Sequence, residues 1–488
     1  MEHLLDKLKK NRDSSNYPYH MPGHKRRPFG DLSQELCGID ITEIDGFDDL
    51  HQPTGILAQL QQQAAGLYGA EESFYLVNGS TSGVLSAISA ALPQGGHILM
   101  ARNCHKSAYH GIYLRNLKVT YLYPPVLTGY DIFDVISPEQ LQTALEAELE
   151  IGAVLIVSPT YEGRIADIHR IAEIVHERNI PLIVDEAHGA HLGLTGEGPK
   201  NSCQAGADLV IHSVHKTLPA LTQAALLHVN GTRIDRERLR RFLRIYQTTS
   251  PSYILMASVD NALHFIEQEG CETFSRFAKN YGNMLEDLQT CKHLRVLPWE
   301  KGKQDLGKLV ISVKDTAMTG KELYDTLLQR YGLQLEMAAE SYALAMFTIN
   351  DGQEAYERMT MALSEIDHEL DQRKRAEALG TSKQDAMLFT KPIGKIPLTK
   401  AWDMETEELE LIECAGCCAG EFINLYPPGV PVLVPGEEIT EELCVRIQGW
   451  IDSGLTVQGV ERHKGKIYIK ILKETGKDIV FTTDKKSV

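Results

Sequence analysis

Long apolar runs are missing from this sequence. No stretch approaches the roughly 20 apolar residues that a membrane span requires, which points away from a membrane-embedded protein. The amino terminus, M-E-H-L-L-D-K-L-K-K, lacks the apolar core of a secretory leader. Cysteine is sparse, nine in 488 residues, which excludes a disulfide framework. Positive charge is in deficit: the formal net charge of −17 argues against non-specific nucleic-acid binding and is compatible with cationic substrates. Internal repeats and low-complexity tracts are absent. What remains is the composition of an ordinary globular protein, with 43% hydrophobic and 24% charged residues, expected in the cytoplasm.

Two stretches carry chemistry. Ala207 to Leu218 reads A-D-L-V-I-H-S-V-H-K-T-L: a short apolar run, the mark of a buried strand, followed at once by His212, Ser213, His215 and Lys216. A lysine just past a buried strand end sits where desolvation lowers its pKa and leaves the amine free to attack a carbonyl. The bland alternative is a surface lysine. Upstream, Ile180 to His191 reads I-P-L-I-V-D-E-A-H-G-A-H, a second apolar run ending in Asp185. In an α/β chain a carboxylate at a strand's carboxyl end points into the ligand crevice. A lysine for the aldehyde and an acid for the pyridine nitrogen are the two parts pyridoxal phosphate needs. Asp-Glu-Ala-His also ends a strand in nucleotide hydrolases, but those require a phosphate loop ending Gly-Lys-Ser/Thr. None of the Gly-Lys pairs here, at Gly302, Gly307, Gly320, Gly394, Gly465 and Gly476, is followed by Ser or Thr.

Apolar periodicity alternates between strand and helix: Ser73–Val77, Ser80–Ala91, His97–Ala101, Lys118–Tyr123, Pro138–Leu149, Ala153–Val157, His169–Arg178 and Leu182–Val184. Such alternation predicts a mostly parallel sheet with helices on both faces. Residues 1–50 read as an arm, 51–290 as a large domain, 291–375 as a small α/β domain, 376–395 as a linker, and 396–488 as a carboxyl-terminal α+β unit ending in a strand pair over Gly459–Leu472. Cys414, Cys417 and Cys418 suggest a metal corner, but no second pair stands at zinc spacing. Glu407–Leu425 reads as a helix that would take them as small core residues, so no metal is expected. The glycosylation sequons at Asn78 and Asn230 mean little without a secretory route.

Further candidates line up on the same strand ends. Asn78 to Gly83 runs from a strand into a helix, with Ser80, Thr81 and Ser82 at its start; free backbone N–H groups and hydroxyls make an anion seat there, or simply a helix cap. Asn103-Cys104-His105-Lys106-Ser107 follows the next strand, so His105 emerges at the crevice, where a flat imidazole can stack on a pyridine ring. Ser158 to Gly163 follows another strand and lines the same crevice. Gln247 to Ser252 is a second hydroxyl-rich helix start.

These motifs occur together with M-P-G-H-K (21–25), D-I-T-E-I-D (40–45), S-V-H-K-T-L-P-A-L-T-Q (213–223), T-T-S-P (248–251), Y-P-P-G-V-P (426–431) and P-G-E (435–437). In this order, over nearly the whole chain, they resemble the bacterial fold-type-I ornithine/lysine/arginine decarboxylases, which depend on pyridoxal 5'-phosphate. The resemblance implies the aspartate aminotransferase-like fold of such enzymes. It implies that Lys216 holds the cofactor, that Asp185 pairs with its ring nitrogen, and that His105 stacks on the ring. Ser80, Thr81, Ser82, His188, Ser213 and His215 would surround the cofactor, and Thr248 and Thr249 would reach that of a neighbouring subunit. Glu336, within Q-L-E-M-A-A-E-S-Y, would meet the distal cation of a basic amino acid; its bland alternative is a solvated strand-edge carboxylate. Larger members carry an amino-terminal wing domain, whereas this chain begins almost at Pro-Gly-His-Lys, so a homodimer or tetramer is expected rather than a wing-driven decamer. The expected activity is decarboxylation of arginine, lysine or ornithine, arginine foremost, in polyamine biosynthesis. The alternatives are an acyltransferase or lyase of the same fold, or an inactive cofactor-binding paralogue.

Overall fold

The computed structural model describes residues 17–19, 48–194, 198–374, 391–427, 429–463 and 465–473. The motifs at 21–25 and 40–45, and most of the expected linker, lie outside the described residues.

The first long helix among the described residues, α1 (Ile56–Tyr68), begins where Asp48 folds back: its Oδ2 accepts from Gly55 N at 2.7 Å and Leu57 N at 3.1 Å. Those N–H groups have no partner inside the helix. The helix stops at Gly69, whose φ of +71° a side chain would resist. The alternation then runs β1 (Glu72–Leu76), α2 (Gly79–Ala91), β2 (His97–Ala101), α3 (Lys106–Leu114), β3 (Lys118–Leu122), α4 (Pro138–Ala147), β4 (Ala153–Val157), α5 (Ile168–Glu177), β5 (Leu182–Asp185), β6 (Leu209–His212), a single turn α6 (Val214–Thr217) and β7 (Ala225–Val229). The strands form one seven-stranded sheet in the order β1-β7-β6-β5-β4-β2-β3. Only β7 is antiparallel to its neighbours. Residues of β2, β5 and β6 are buried throughout, as in a sheet covered on both faces.

Helix α7 (Arg236–Tyr246) and the 36-residue α8 (Tyr253–Leu288) follow. One face of α8 carries a core from the large sheet to a smaller one: Met256 and Val259 share a cluster with Tyr75 and Leu226, and Phe277 and Tyr281 with Leu309 and Phe347. The smaller sheet is antiparallel, with β8 (Lys308–Ser312) beside β9 (Tyr342–Met346), helix α9 (Gly320–Tyr331) between them in sequence and α10 (Gln353–Lys374) after.

The carboxyl-terminal unit comprises β10 (Thr406–Glu410), β11 (Ile423–Leu425), β12 (Val430–Leu433), α11 (Glu441–Asp452), β13 (Val460–His463) and β14 (Lys466–Leu472). The strand pair expected over 459–472 is β13 with β14. The helix expected over Glu407–Leu425 is not there. That stretch is β10, one 3₁₀ turn (Leu411–Glu413), a loop and β11. Pairing of Thr406–Glu410 with β14 overrides the helical preference of its glutamates. Gly416, at φ +87°, turns the chain within the loop. Cys414 is buried and Cys417 and Cys418 are half-buried, none of the three in a disulfide, and no metal-holding group occurs among the described residues. No helix among them is long and apolar enough to cross a membrane.

This unit is fastened beside β2. Arg102, 1% exposed, donates to Pro431 O at 2.6 Å and Tyr109 Oη at 2.8 Å and pairs with Glu437 at 3.0 Å. Lys106 N donates to Gly429 O at 3.3 Å, beside His105.

Candidate active site

The carboxyl ends of β1, β2, β4, β5 and β6 open into one cavity of about 320 Å³. Behind β1, Gly79 turns at φ +71° and starts α2, so Ser80 and Thr81 face the cavity at a helix amino terminus. The Ser80 and Ser213 hydroxyls share a hydrogen bond of 2.5 Å.

Behind β6, the turn α6 delivers Lys216. Burial lowers the pKa of its ammonium, while the Asp185 and Glu336 carboxylates pull it back up. Asp185 lines the same cavity at the end of β5. Its carboxyl is pushed up by burial and drawn down by Lys216 and by the Ala187 N–H at 3.2 Å. His105 caps α3, with Nδ1 accepting from Ser107 N at 3.2 Å. Burial, with Lys216 and Lys106 nearby, pushes its imidazole down to about 3, so the ring is neutral with its proton on Nε2. His215 lies 2.9 Å by Nδ1 from Ala224 O, and burial pushes it down to about 4. His188 is held at both nitrogens: Nε2 lies 2.8 Å from Lys216 Nζ and Nδ1 lies 2.7 Å from Lys308 Nζ.

The structure thus gathers Ser80, Thr81, His105, Asp185, His188, Ser213, His215 and Lys216 around one space. It does not bring Ser82 there. That side chain is buried and its hydroxyl donates back to Gly79 O at 2.8 Å, within the first turn of its own helix. Thr248 and Thr249 are exposed and do not line the cavity; Thr248 N donates to Asn78 Oδ1 at 3.1 Å beside the start of α2. Glu336 is half-buried rather than a solvated strand edge, and accepts from Tyr161 Oη at 2.5 Å. Tyr161 itself lines the cavity, its ring 4.6 Å from that of His188.

The sequence places the 158–163 stretch at this crevice and carries 426–431 as a motif, but it singles out neither Glu162 nor Tyr426 and gives Lys308 no place. Lys308 opens β8 and is 2% exposed. Its one sequence signal is a lysine placed inside an apolar run. Glu162 is buried and accepts from Tyr342 Oη at 2.9 Å, and burial pushes its carboxyl up. Tyr426, Leu455 and Thr456 bring the carboxyl-terminal unit to the cavity wall.

The residues present suit pyridoxal phosphate. Asp185 is a buried carboxylate with no ion-pair partner among the described residues, a costly state that a ring cation would relieve. Asn103 Oδ1, at the cavity wall, is buried without a hydrogen-bond partner. The start of α2 offers backbone donors for a phosphate.

Residues 3–306 match the family model described as Orn/Lys/Arg decarboxylase, major domain, and residues 397–448 that of the family's C-terminal domain. The chain is 32% identical over 471 residues to an arginine decarboxylase of Bacillus subtilis, covering 94% of this chain and 95% of the relative. It is 30% identical to an arginine decarboxylase of Halalkalibacterium halodurans, over 91% and 92% of the two chains. Among solved structures, lysine decarboxylase LdcF of Francisella novicida superposes with a TM-score of 0.76 at 19% identity, covering 96% of this chain and 80% of the other, which shows a shared fold.

Proposed function

The chain belongs to the Orn/Lys/Arg decarboxylase family, and from that premise we propose that it uses pyridoxal phosphate to decarboxylate arginine, yielding agmatine and CO2. The observation that carries the reading is that a desolvated lysine and a buried, unpaired carboxylate, Lys216 and Asp185, share one cavity. Arginine is favoured over lysine and ornithine by the full-length resemblance to bacterial arginine decarboxylases.

Bound at Lys216, the cofactor supplies a ring that accepts the electron pair left behind as CO2 departs. The chain does the rest. Asp185 keeps a cation at the ring nitrogen, because a buried carboxylate favours the protonated partner. His105, neutral, offers a flat face without a competing charge. Ser80, Thr81 and the free N–H groups of α2 hold the phosphate. The apolar side chains of Leu425, Val430 and Val432 exclude water from the cavity wall. Lys216, once released, or an adjacent imidazole carries the proton that returns to Cα. Glu336 takes the guanidinium, whose planar fork suits a carboxylate. The protein acts in the cytoplasm in polyamine synthesis, as a homodimer or tetramer in which Thr248 and Thr249 face the partner's site.

The test offers arginine, lysine and ornithine in turn to the purified protein with pyridoxal phosphate, measuring CO2 and amine. Arginine is expected to be consumed fastest; release from none would sink the reading. Lys216→Ala should abolish the visible absorbance of attached cofactor.

A further inference from the structure

Lys308 reaches from β8 of the small sheet across to the large domain. Its neighbours leave little room: a Cβ built on Gly163 would fall 2.5 Å from Lys308 Cγ. No carboxylate among the described residues comes within ion-pair distance of its ammonium. The charged groups around it are Asp305, Glu162, Glu336 and Lys216, and Asp305 is engaged by His191 Nε2 at 2.9 Å and Gly307 N at 3.1 Å. What Lys308 Nζ does touch is His188 Nδ1 at 2.7 Å, with Met346 Sδ at 3.7 Å.

His188 is the constraint. Its other nitrogen lies 2.8 Å from Lys216 Nζ. Burial, with Lys216, Lys308, His215 and His105 all facing it, holds this imidazole well below its ordinary value, so it is neutral. A neutral imidazole has one N–H and one lone pair, whereas an ammonium only donates. Two ammonium groups cannot both hydrogen-bond to it. One lysine is therefore an amine whenever both contacts are kept.

Resting on the cofactor reading above, we propose that Lys308 is a positioning residue that receives the proton Lys216 must lose before its amine can attach an aldehyde. Lys216 Nζ gives a proton to His188 Nε2, and His188 Nδ1 gives its proton to Lys308 Nζ. One N–H bond breaks and one forms at each step, the tautomer of His188 flips, and the positive charge moves from Lys216 to Lys308. The reverse transfer returns a proton to Lys216 when it is released.

The experiment uses the full-length protein freed of cofactor and measures the rate at which pyridoxal phosphate attaches at Lys216, by absorbance, across a pH series. In Lys308→Met no cation can stand beside His188 Nδ1, so Lys216 keeps its own proton, the midpoint should rise by about one pH unit and attachment at neutral pH should slow about tenfold. In Lys308→Arg a fixed cation sits in the same place and keeps Lys216 from holding its own proton, so the midpoint should not rise. Lys308→Gln carries the same expectation as Lys308→Met should the methionine variant not fold. An unchanged midpoint in Lys308→Met or Lys308→Gln, or an equal rise in Lys308→Arg, overturns the inference while leaving the cofactor reading standing. Failure of the unaltered protein to attach pyridoxal phosphate overturns the cofactor reading and this inference together.

Discussion

Asp185 and Glu186 are adjacent, both buried, and face opposite ways. Asp185 meets the cavity, and its charge has work to do there. Asp185→Asn should keep the fold and cut turnover by roughly a hundredfold or more, the scale of losing one buried electrostatic partner of a reacting centre; steady-state kinetics on arginine check this. Glu186 points away. It accepts from Ser202 N at 2.9 Å, meets His212 Nε2 at 2.7 Å, and His212 continues through His228 to Ser73 Oγ. Burial pushes Glu186 up to about 8 and His212 down to about 3, so both are neutral near neutral pH. The raised carboxyl favours folding fully below its ordinary value of 4.5, and that contribution is lost as pH climbs toward about 8. Glu186→Gln should flatten this part of the pH–stability curve, read by thermal melts from acid to alkaline buffer. At this scale the sequence is legible where a residue directly follows a strand: Lys216, Asp185 and His105 could be placed by that rule alone. Lys308 could not, because its meaning comes from partners that tertiary folding brings to it. Ser82 follows the same strand, but its hydroxyl turns back to Gly79 O, because a hydroxyl in a first helical turn can donate to its own backbone as readily as face a ligand.

Helix α2 connects packing to binding. A Cβ built on Gly83 falls 2.6 Å from Leu76 Cδ1 and 3.1 Å from Ile211 Cγ2, so the helix lies directly on β1 and β6. Gly83→Ala should lift the helix, cost about 1–3 kcal/mol of stability, and weaken pyridoxal phosphate binding because Ser80 and Thr81 ride on the same element. Calorimetry and cofactor titration check the two effects. Elements with strong periodicity or an uninterrupted apolar run, such as α5 and β2, are readable from sequence close to their ends. Glu407–Leu425 was not: its glutamates favour a helix locally, and only pairing with β14, far along the chain, makes a strand.

Across the whole molecule, the carboxyl-terminal unit is fastened by a buried ion pair together with backbone contacts and shared core residues such as Phe422 and Val434. Glu437→Ala would strand the Arg102 guanidinium without its counter-charge, and should lower stability by about 3–5 kcal/mol, measurable as a drop in melting temperature. A Glu437→Gln variant, still able to hydrogen-bond, should lose less. The existence of this unit was legible in the sequence, but its closeness to β2 was not, since no local pattern encodes a contact between Arg102 and Glu437.

That the late residues Leu425, Tyr426 and Thr456 wall the cavity sets an order of events during synthesis. A nascent chain emerging from the ribosome has Lys216 and Asp185 in hand long before it has a closed chamber to put them in. Premature termination near residue 400 would leave a fragment whose cavity lacks the wall that Leu425, Tyr426 and Thr456 supply.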